Sequence, residues 1–272
     1  MLGMIRNVFR YRELLAVLVW KNIAVRYKQA YLGILWAILK PLMLMLIFTL
    51  VRAFVGIDSG DIPYPVLTFA ALLPWTFFQE SVLDSTNSVV TNAHLIRKIY
   101  FPRELFPITA LLTKLVELAI SFLILGGLMA WYEVVPTAQV LWVPVLVLYT
   151  LVTALSVALA GAAINVYYRD MGQAFPIVLS LLMYASPVIY PLSLVKDKLL
   201  TQQAAGDWSD MLYLLYTLNP MTGIIDAFQS VLLRGVEPDF AVMWPGLVCV
   251  CALLPCSYWL FKSAEAHFAD VI

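Results

Sequence analysis

The sequence predicts an all-α integral membrane protein with six transmembrane helices, and three observations lead there. Of its 272 residues, 62% are hydrophobic and 12% charged, against roughly 45–50% and about 25% in soluble domains. The apolar residues gather into runs close to the roughly 20 residues that carry a helix across bilayer hydrocarbon. The basic residues concentrate on alternate sides of those runs, as they do when loops rich in Lys and Arg stay in the cytoplasm.

The first segment is basic: Arg6, Arg10, Arg12, Lys21, Arg26 and Lys28 precede the first apolar run. Within it, Arg10–Gln29 reads as an N-terminal amphipathic interface helix, because Leu15, Val19 and Ile23 recur every four residues while Arg10, Lys21 and Lys28 share another sector. Arg12 and Arg26 blur that division, and long basic side chains reach headgroups by snorkelling. The stretch Leu14–Ile23 is too short to span and lacks a small-residue cleavage site, so no secretory leader is expected.

Six spans follow: Gly33–Val51, Tyr64–Leu83, Leu105–Trp131, Val140–Val166, Ala174–Tyr190 and Ala241–Phe261. Arg97, Lys98 and Arg103 fall in the second connection, Arg169 in the fourth and Lys262 after the last span. With the six basic residues of the first segment they make eleven on one side, against Lys196, Lys198 and Arg234 on the other, with Arg52 at its edge. Both termini are therefore expected in the cytoplasm. The long outer connection, Pro191–Phe240, holds two apolar pieces, Met211–Leu218 and Met221–Leu233, split by the turn signal Asn219-Pro220. Each is too short to cross, so they read as re-entrant periplasmic segments, which persist at membrane depth only when protein or a water-filled cavity surrounds them. An ordinary loop resting on the bundle is the simpler alternative.

Several chemistries are excluded. A net charge of zero argues against a nucleic-acid partner. No Gly-x4-Gly-Lys-Ser/Thr phosphate loop, Gly-x-Ser-x-Gly elbow or His-Glu-x-x-His helix occurs, so neither nucleotide hydrolysis nor any other catalysis is expected of this chain. Cys249, Cys251 and Cys256 lie in the last apolar run and read as small hydrophobes, and His94 and His267 form no ligand cluster, so no metal is expected.

The informative polar residues lie within spans. Lys114 and Glu117, three apart, share a helical face and can pair; an intramembrane ion costs at least ~2.5 kcal/mol on insertion scales, so it faces a bundle interior or a cavity. Lys40-Pro41 interrupts the first span, where Lys40 could snorkel to the near surface; Glu80, Asp84 and Asn165 lie toward the cytoplasmic ends of theirs. For each of these taken singly, helix packing is the simpler role. Among the aromatics, Trp75, Phe77 and Phe78 follow Pro74, and Tyr184, Tyr190, Tyr213 and Tyr216 gather around the fifth span and the outer segment. An interfacial belt accounts for Tyr64, Trp131 and Trp142 but not for Trp75, deep in its span. Ring faces in a pore can stack on sugar rings without reading their hydroxyls.

Several longer motifs are distinctive. Arg26-Tyr-Lys-Gln-Ala-Tyr-Leu-Gly-Ile-Leu-Trp-Ala-Ile-Leu-Lys-Pro41 resembles the approach to the first span of ABC-2 type polysaccharide-export permeases, and Leu72-Leu-Pro-Trp-Thr-Phe-Phe78 resembles their second-span signature. Asn92-Ala-His-Leu-Ile-Arg-Lys-Ile-Tyr-Phe-Pro-Arg103 resembles their following cytoplasmic loop. Asn165-Val-Tyr-Tyr-Arg-Asp170, Ala185-Ser-Pro-Val-Ile-Tyr-Pro191, Leu218-Asn-Pro-Met221 and Phe268-Ala-Asp-Val-Ile272 match in the same order, so the resemblance covers essentially the whole chain. The O-antigen exporter permease is the nearest subgroup, with the wall teichoic acid permease next. Capsule-export permeases share the six-span plan but generally lack the Tyr-Phe-Pro-Arg loop and the Asp-Val-Ile end.

The resemblance implies one ABC-2 type transmembrane domain over 1–272: a cytoplasmic interface segment (1–32), spans one to five (33–190), a periplasmic gate (191–240), and span six with a cytoplasmic tail (241–272). It implies a homodimer in the bacterial cytoplasmic membrane, partnered by two copies of a separate ATPase subunit that binds the ATP and Mg, with no cofactor in this chain. The implied substrate is a polysaccharide on a polyprenyl-pyrophosphate lipid. By the same resemblance Arg26, Lys28, Leu32 and Gly33 mark the substrate entrance, and His94, Ile96, Arg97, Lys98 and Tyr100 the ATPase coupling segment. Tyr213, Tyr216, Asn219 and Pro220 mark the periplasmic gate, while Trp75, Phe78, Tyr184 and Tyr190 are candidates for the substrate channel. Lys40 stands where an uncharged polar residue such as Gln is expected, so no role transfers to it. The rival class is a membrane-embedded lipid-linked sugar transferase using Glu80, Asp84 or Glu117. Such an enzyme usually carries an aspartate pair or a basic cluster on an inner loop, where this chain has only Arg169-Asp170. A secondary transporter would need internal repeats, and the two halves show no repeated pattern.

Overall fold

The computed structural model describes residues 2–28, 35–56, 62–96, 98 and 101–268. Among the described residues the regular structure is entirely helical. The first segment is two helices, α1 (Leu2–Arg10) and α2 (Arg12–Lys28), divided at Tyr11. α2 packs on α6 (Leu105–Trp131) and buries Leu15 and Leu18, leaving Val17, Trp20 and Val25 exposed. The helix predicted to start at Arg10 is thus preceded by another, too short for a periodicity reading to register.

α3 (Leu35–Val55) carries Lys40 and Pro41 and packs on α4 (Tyr64–Thr91) and α6. It buries Pro41 and Phe48, while Leu46, Ile47, Leu50 and Phe54 remain exposed. α4 is the axis of the molecule. It touches α3, α6, α7 (Val143–Tyr167), α8 (Met171–Tyr184) and α11 (Pro220–Gln229), and every residue from Val66 to Trp75 is buried. Pro65 lies in its first turn, where a missing N–H costs nothing.

The four-residue α5 (Ala93–Ile96) follows α4, and a 3-10 turn, Ala138–Trp142, leads into α7. Among the described residues, four helices are long and apolar enough to cross a membrane: α4, α6, α7 with its leading turn, and α12 (Phe240–Glu265). α8 is shorter than predicted. It ends at Tyr184 after 14 residues, roughly 21 Å at 1.5 Å per residue, and the chain runs on to Tyr190 in turns. Pro187 explains the stop, since a proline turns the residue before it away from helical backbone.

Beyond α8 come α9 (Leu192–Lys196), which continues as a π-helical turn, then α10 (Ser209–Leu218) and α11. The two predicted apolar pieces are α10 and α11, broken at Asn219. α10 is largely exposed, whereas every residue of α11 from Met221 to Gln229 is buried. Two glycines bring α11 onto α12 at backbone distance. A Cβ on Gly223 would lie 2.9 Å from the Met243 Cα, and one on Gly246 2.7 Å from the Pro220 Cα. α11 runs into a π-helical turn, Ser230–Arg234, closed by Gly235 at φ +67°.

Side-chain contacts tie the helices together at both ends of the bundle. At one end Asn165 donates to the Thr86 carbonyl (3.1 Å) and to the Asn87 Oδ1 (3.2 Å) and accepts from the Gly172 N–H (3.0 Å), joining α4, α7 and α8. At the other, the Tyr64 hydroxyl donates to the Ile189 carbonyl (2.6 Å), and Trp142 meets Phe240 edge-on.

Candidate functional site

Glu80 and Asp84 lie four apart on α4, and Lys114 and Glu117 three apart on α6, so each helix presents its pair on one face. The two faces meet. Lys114, with 3% of its side chain exposed, lies 3.3 Å from Glu80, 3.4 Å from Asp84 and 3.2 Å from Glu117. Arg26 comes from α2 to pair with Asp84 (2.5 Å) and Glu117, and Lys40 comes from α3 to pair with Glu80. Three cations and three carboxylates thereby join four helices with no net charge. Burial disfavours the Arg26 charge, but the Asp84 and Glu117 carboxylates outweigh it and hold the guanidinium pKa above its ordinary value. A charge taken out of water persists only when paired, which is why the cluster gathers around the enclosed Lys114. Lys40 is drawn to Glu80, a pairing absent from the snorkelling expectation.

A second cluster gathers where α1, the start of α6 and the end of α12 meet. Glu104, fully buried just before α6, accepts from Lys262 at 2.5 Å and from the Asn7 side-chain amide at 2.9 Å. Lys262 also pairs with Glu265 at 2.6 Å, and Glu265 accepts from the Arg103 N–H at 2.9 Å. The Arg103 guanidinium donates to the Glu265 carbonyl. Sequence reading missed Glu104 and Glu265. Glu104 sits one residue before an apolar run, as many span-flanking charges do, and its partner is 158 positions away.

The aromatic candidates divide. Trp75 and Phe78 are 0% and 2% exposed, with ring centroids 5.7 Å apart. Packed inside the subunit, they offer no free face to a passing chain in this conformation. Tyr184, 57% exposed at the end of α8, does present its ring, and the half-buried Tyr190 donates its hydroxyl to the Tyr184 carbonyl at 3.1 Å.

In the outer segment, Asn219 caps α11 by accepting from the Met221 N–H (3.1 Å) and donates to the Ser186 hydroxyl (2.8 Å), tying the α10–α11 turn to the chain after α8. Pro220 occupies the first position of α11, and Tyr213 and Tyr216 are half-buried on α10. Asp226 meets Arg234 at 3.4 Å, a pairing that sequence reading also missed, and burial pushes its carboxyl up against that attraction. In the coupling segment His94 and Lys98 are exposed, whereas Ile96 is buried within the chain. Leu32, Gly33, Arg97 and Tyr100 lie outside the described residues, as does the side chain of Lys28, the last residue of α2. Among the described residues, no three His, Cys, Asp or Glu side chains group as a metal site.

A family model described as ABC-2 type transporter matches residues 13–233. The O-antigen export system permease protein RfbA of Myxococcus xanthus is 30% identical over 273 residues, covering 100% of both chains. A protein of the same name from Klebsiella pneumoniae is 24% identical over 265 residues, covering 96% of this chain and 95% of its own. A further Klebsiella pneumoniae protein of that name is 24% identical over 226 residues, 82% of each chain. The apolar helices and these end-to-end likenesses agree: the chain is an integral membrane permease that belongs to the ABC-2 type transporter family.

Proposed function

We propose that this chain is the transmembrane subunit of an exporter that carries a polyprenyl-pyrophosphate-linked polysaccharide, an O-antigen, out across the bacterial cytoplasmic membrane. The observation that carries this reading is the likeness to O-antigen export permeases over the full length of both chains. Energy comes from a separate ATPase subunit, which holds ATP and Mg, and two copies of each chain make the transporter. The whole chain is one transmembrane domain. It crosses six times, with α3 and α8 (extended by the turns to Tyr190) joining the four longest apolar helices, and both termini are cytoplasmic. α10 and α11 form the re-entrant outer gate, and Arg26, Lys28, Leu32 and Gly33 the substrate entrance. The coupling segment presents His94, Arg97, Lys98 and Tyr100 to the ATPase, while Tyr184 and Tyr190 face the conduit.

The lipid-linked sugar transferase is the weaker reading, because the carboxylates it would use, Glu80, Asp84 and Glu117, each lie against a cation. Deleting the gene and following the polymer on both sides of the membrane tests the proposal. Surface polysaccharide should be lost while full-length lipid-linked polymer accumulates inside, and in a strain that also lacks the ATPase gene this chain and its ATPase together should restore export where neither alone does. Loss or shortening of the internal polymer would instead assign the chain to synthesis.

A further inference from the structure

Residues 101–104, just ahead of α6, are held more firmly than a connecting loop needs. Glu265 grips Arg103 twice, through the backbone N–H at 2.9 Å and through the guanidinium on the Glu265 carbonyl. One residue on, the carboxylate of Glu104 is fully buried and bonded to Lys262 of α12 and Asn7 of α1. Phe101 meets Phe106 of α6 at a tilt, with centroids 5.2 Å apart, and Tyr167 of α7 donates to the Ala264 carbonyl at 3.3 Å. A cleft of about 510 Å³ opens over this joint between Asn7, Tyr11, Phe101, Arg103 and Lys262. A buried ion pair is a poor device for stability alone, since apolar residues of similar volume usually serve as well or better. Its distinctive effect is geometric: opposite charges at short range hold two elements in one register.

We infer that Glu104, Lys262 and Glu265 are positioning residues for energy transfer, clamping residues 101–103, which end the segment that starts at α5, to α1, α6 and α12 so that displacement of that segment moves all three helices together. The inference rests on the proposed reading of that segment as the part that docks on the ATPase. In the absence of the clamp, a push on the loop would be taken up by bending at Pro102 and would reach α6 alone. The clamp residues touch neither ATP nor polysaccharide; they act through the loop that they hold.

The test uses the whole permease purified with its ATPase and reconstituted in lipid vesicles, with three readouts: recovery of the complex, ATP hydrolysis and export. Lys262→Met alone strands the buried Glu104 charge and can fail through misfolding. The decisive variant is therefore the double Glu104→Gln, Lys262→Met, which strands no charge at the fully buried position 104, while Glu265 loses its lysine but keeps the Arg103 N–H. It should assemble and hydrolyse ATP within about twofold of the parent while export falls at least tenfold, and Lys262→Arg should retain export. Parental export in the double variant, or loss of the complex itself, would overturn the inference. The underlying reading is tested separately with the exposed His94 and Lys98. If reversing them by His94→Asp and Lys98→Glu leaves both assembly and export intact, the docking role fails, whatever the clamp variants show.

Discussion

Lys114 and Lys40 both pair with Glu80, yet their environments differ enough to set opposite expectations. Lys114 is almost wholly enclosed and faces three carboxylates. Lys114→Met would leave them to Arg26 and Lys40 alone, and breaking a buried pair costs about 3–5 kcal/mol. Lys40 is half exposed, and exposed ion pairs are worth about 0–1 kcal/mol, so Lys40→Met should cost little. Thermal unfolding in detergent should show a large drop in midpoint for the first and almost none for the second; equal drops would mean that the cluster is uniformly buried. The Lys114–Glu117 contact was legible in the sequence because an i,i+3 spacing is local. Its enlargement to six charges was not, since Arg26 and Lys40 come from other helices. The burial of Trp75 was equally hidden, because an aromatic residue in mid-span reads the same whether it faces a lumen or a neighbouring helix.

Among the elements, the contact between α11 and α12 depends on the absence of side chains at Gly223 and Gly246. Gly246→Ala would drive its Cβ into the Pro220 backbone, which has no rotamer with which to yield, and overpacking of this kind costs about 1–3 kcal/mol. Asn219→Ala removes the α11 cap and the bond to Ser186, for about 1 kcal/mol from the cap. Both variants should lower the melting midpoint and speed proteolysis between α10 and α12; an unchanged cleavage pattern in Gly246→Ala would mean that α11 can rest elsewhere. Helix existence was well read from hydropathy. Leu105–Trp131 holds at both ends, and α7 and α12 lie within a few residues of prediction. α4 runs eight residues past Leu83, because a polar stretch can stay helical after its apolar run has ended. α8 stops short for the converse reason: hydropathy persists to Tyr190 while Pro187 breaks the backbone.

Across the whole molecule, the chain ends and loops that the basic-residue rule assigns to one side meet in space. Asn7, Arg103, Lys262 and Glu265 share one cluster. In a background lacking Cys249, Cys251 and Cys256, single cysteines replacing the exposed Lys98 and Gln203 should react from opposite faces of the membrane. A membrane-impermeant maleimide should label only position 203 in intact cells; labelling of both would rule out the proposed topology. The centrality of α4 has a further consequence, in time rather than in space. Its most apolar stretch is 78% buried in the finished bundle, yet it leaves the ribosome before α6, α7 or α11 exists. Glu80 is made 34 residues ahead of Lys114, when Lys40 is the one lysine partner already synthesised, and an incompletely paired carboxylate opposes insertion into the bilayer. A nascent chain truncated just after α5 should therefore leave α4 poorly inserted in a glycosylation-mapping assay, and extending it through α6 should rescue insertion. Biogenesis of this permease becomes a matter of waiting, with the future axis of the bundle held at the translocon until the helices that shelter it have been synthesised.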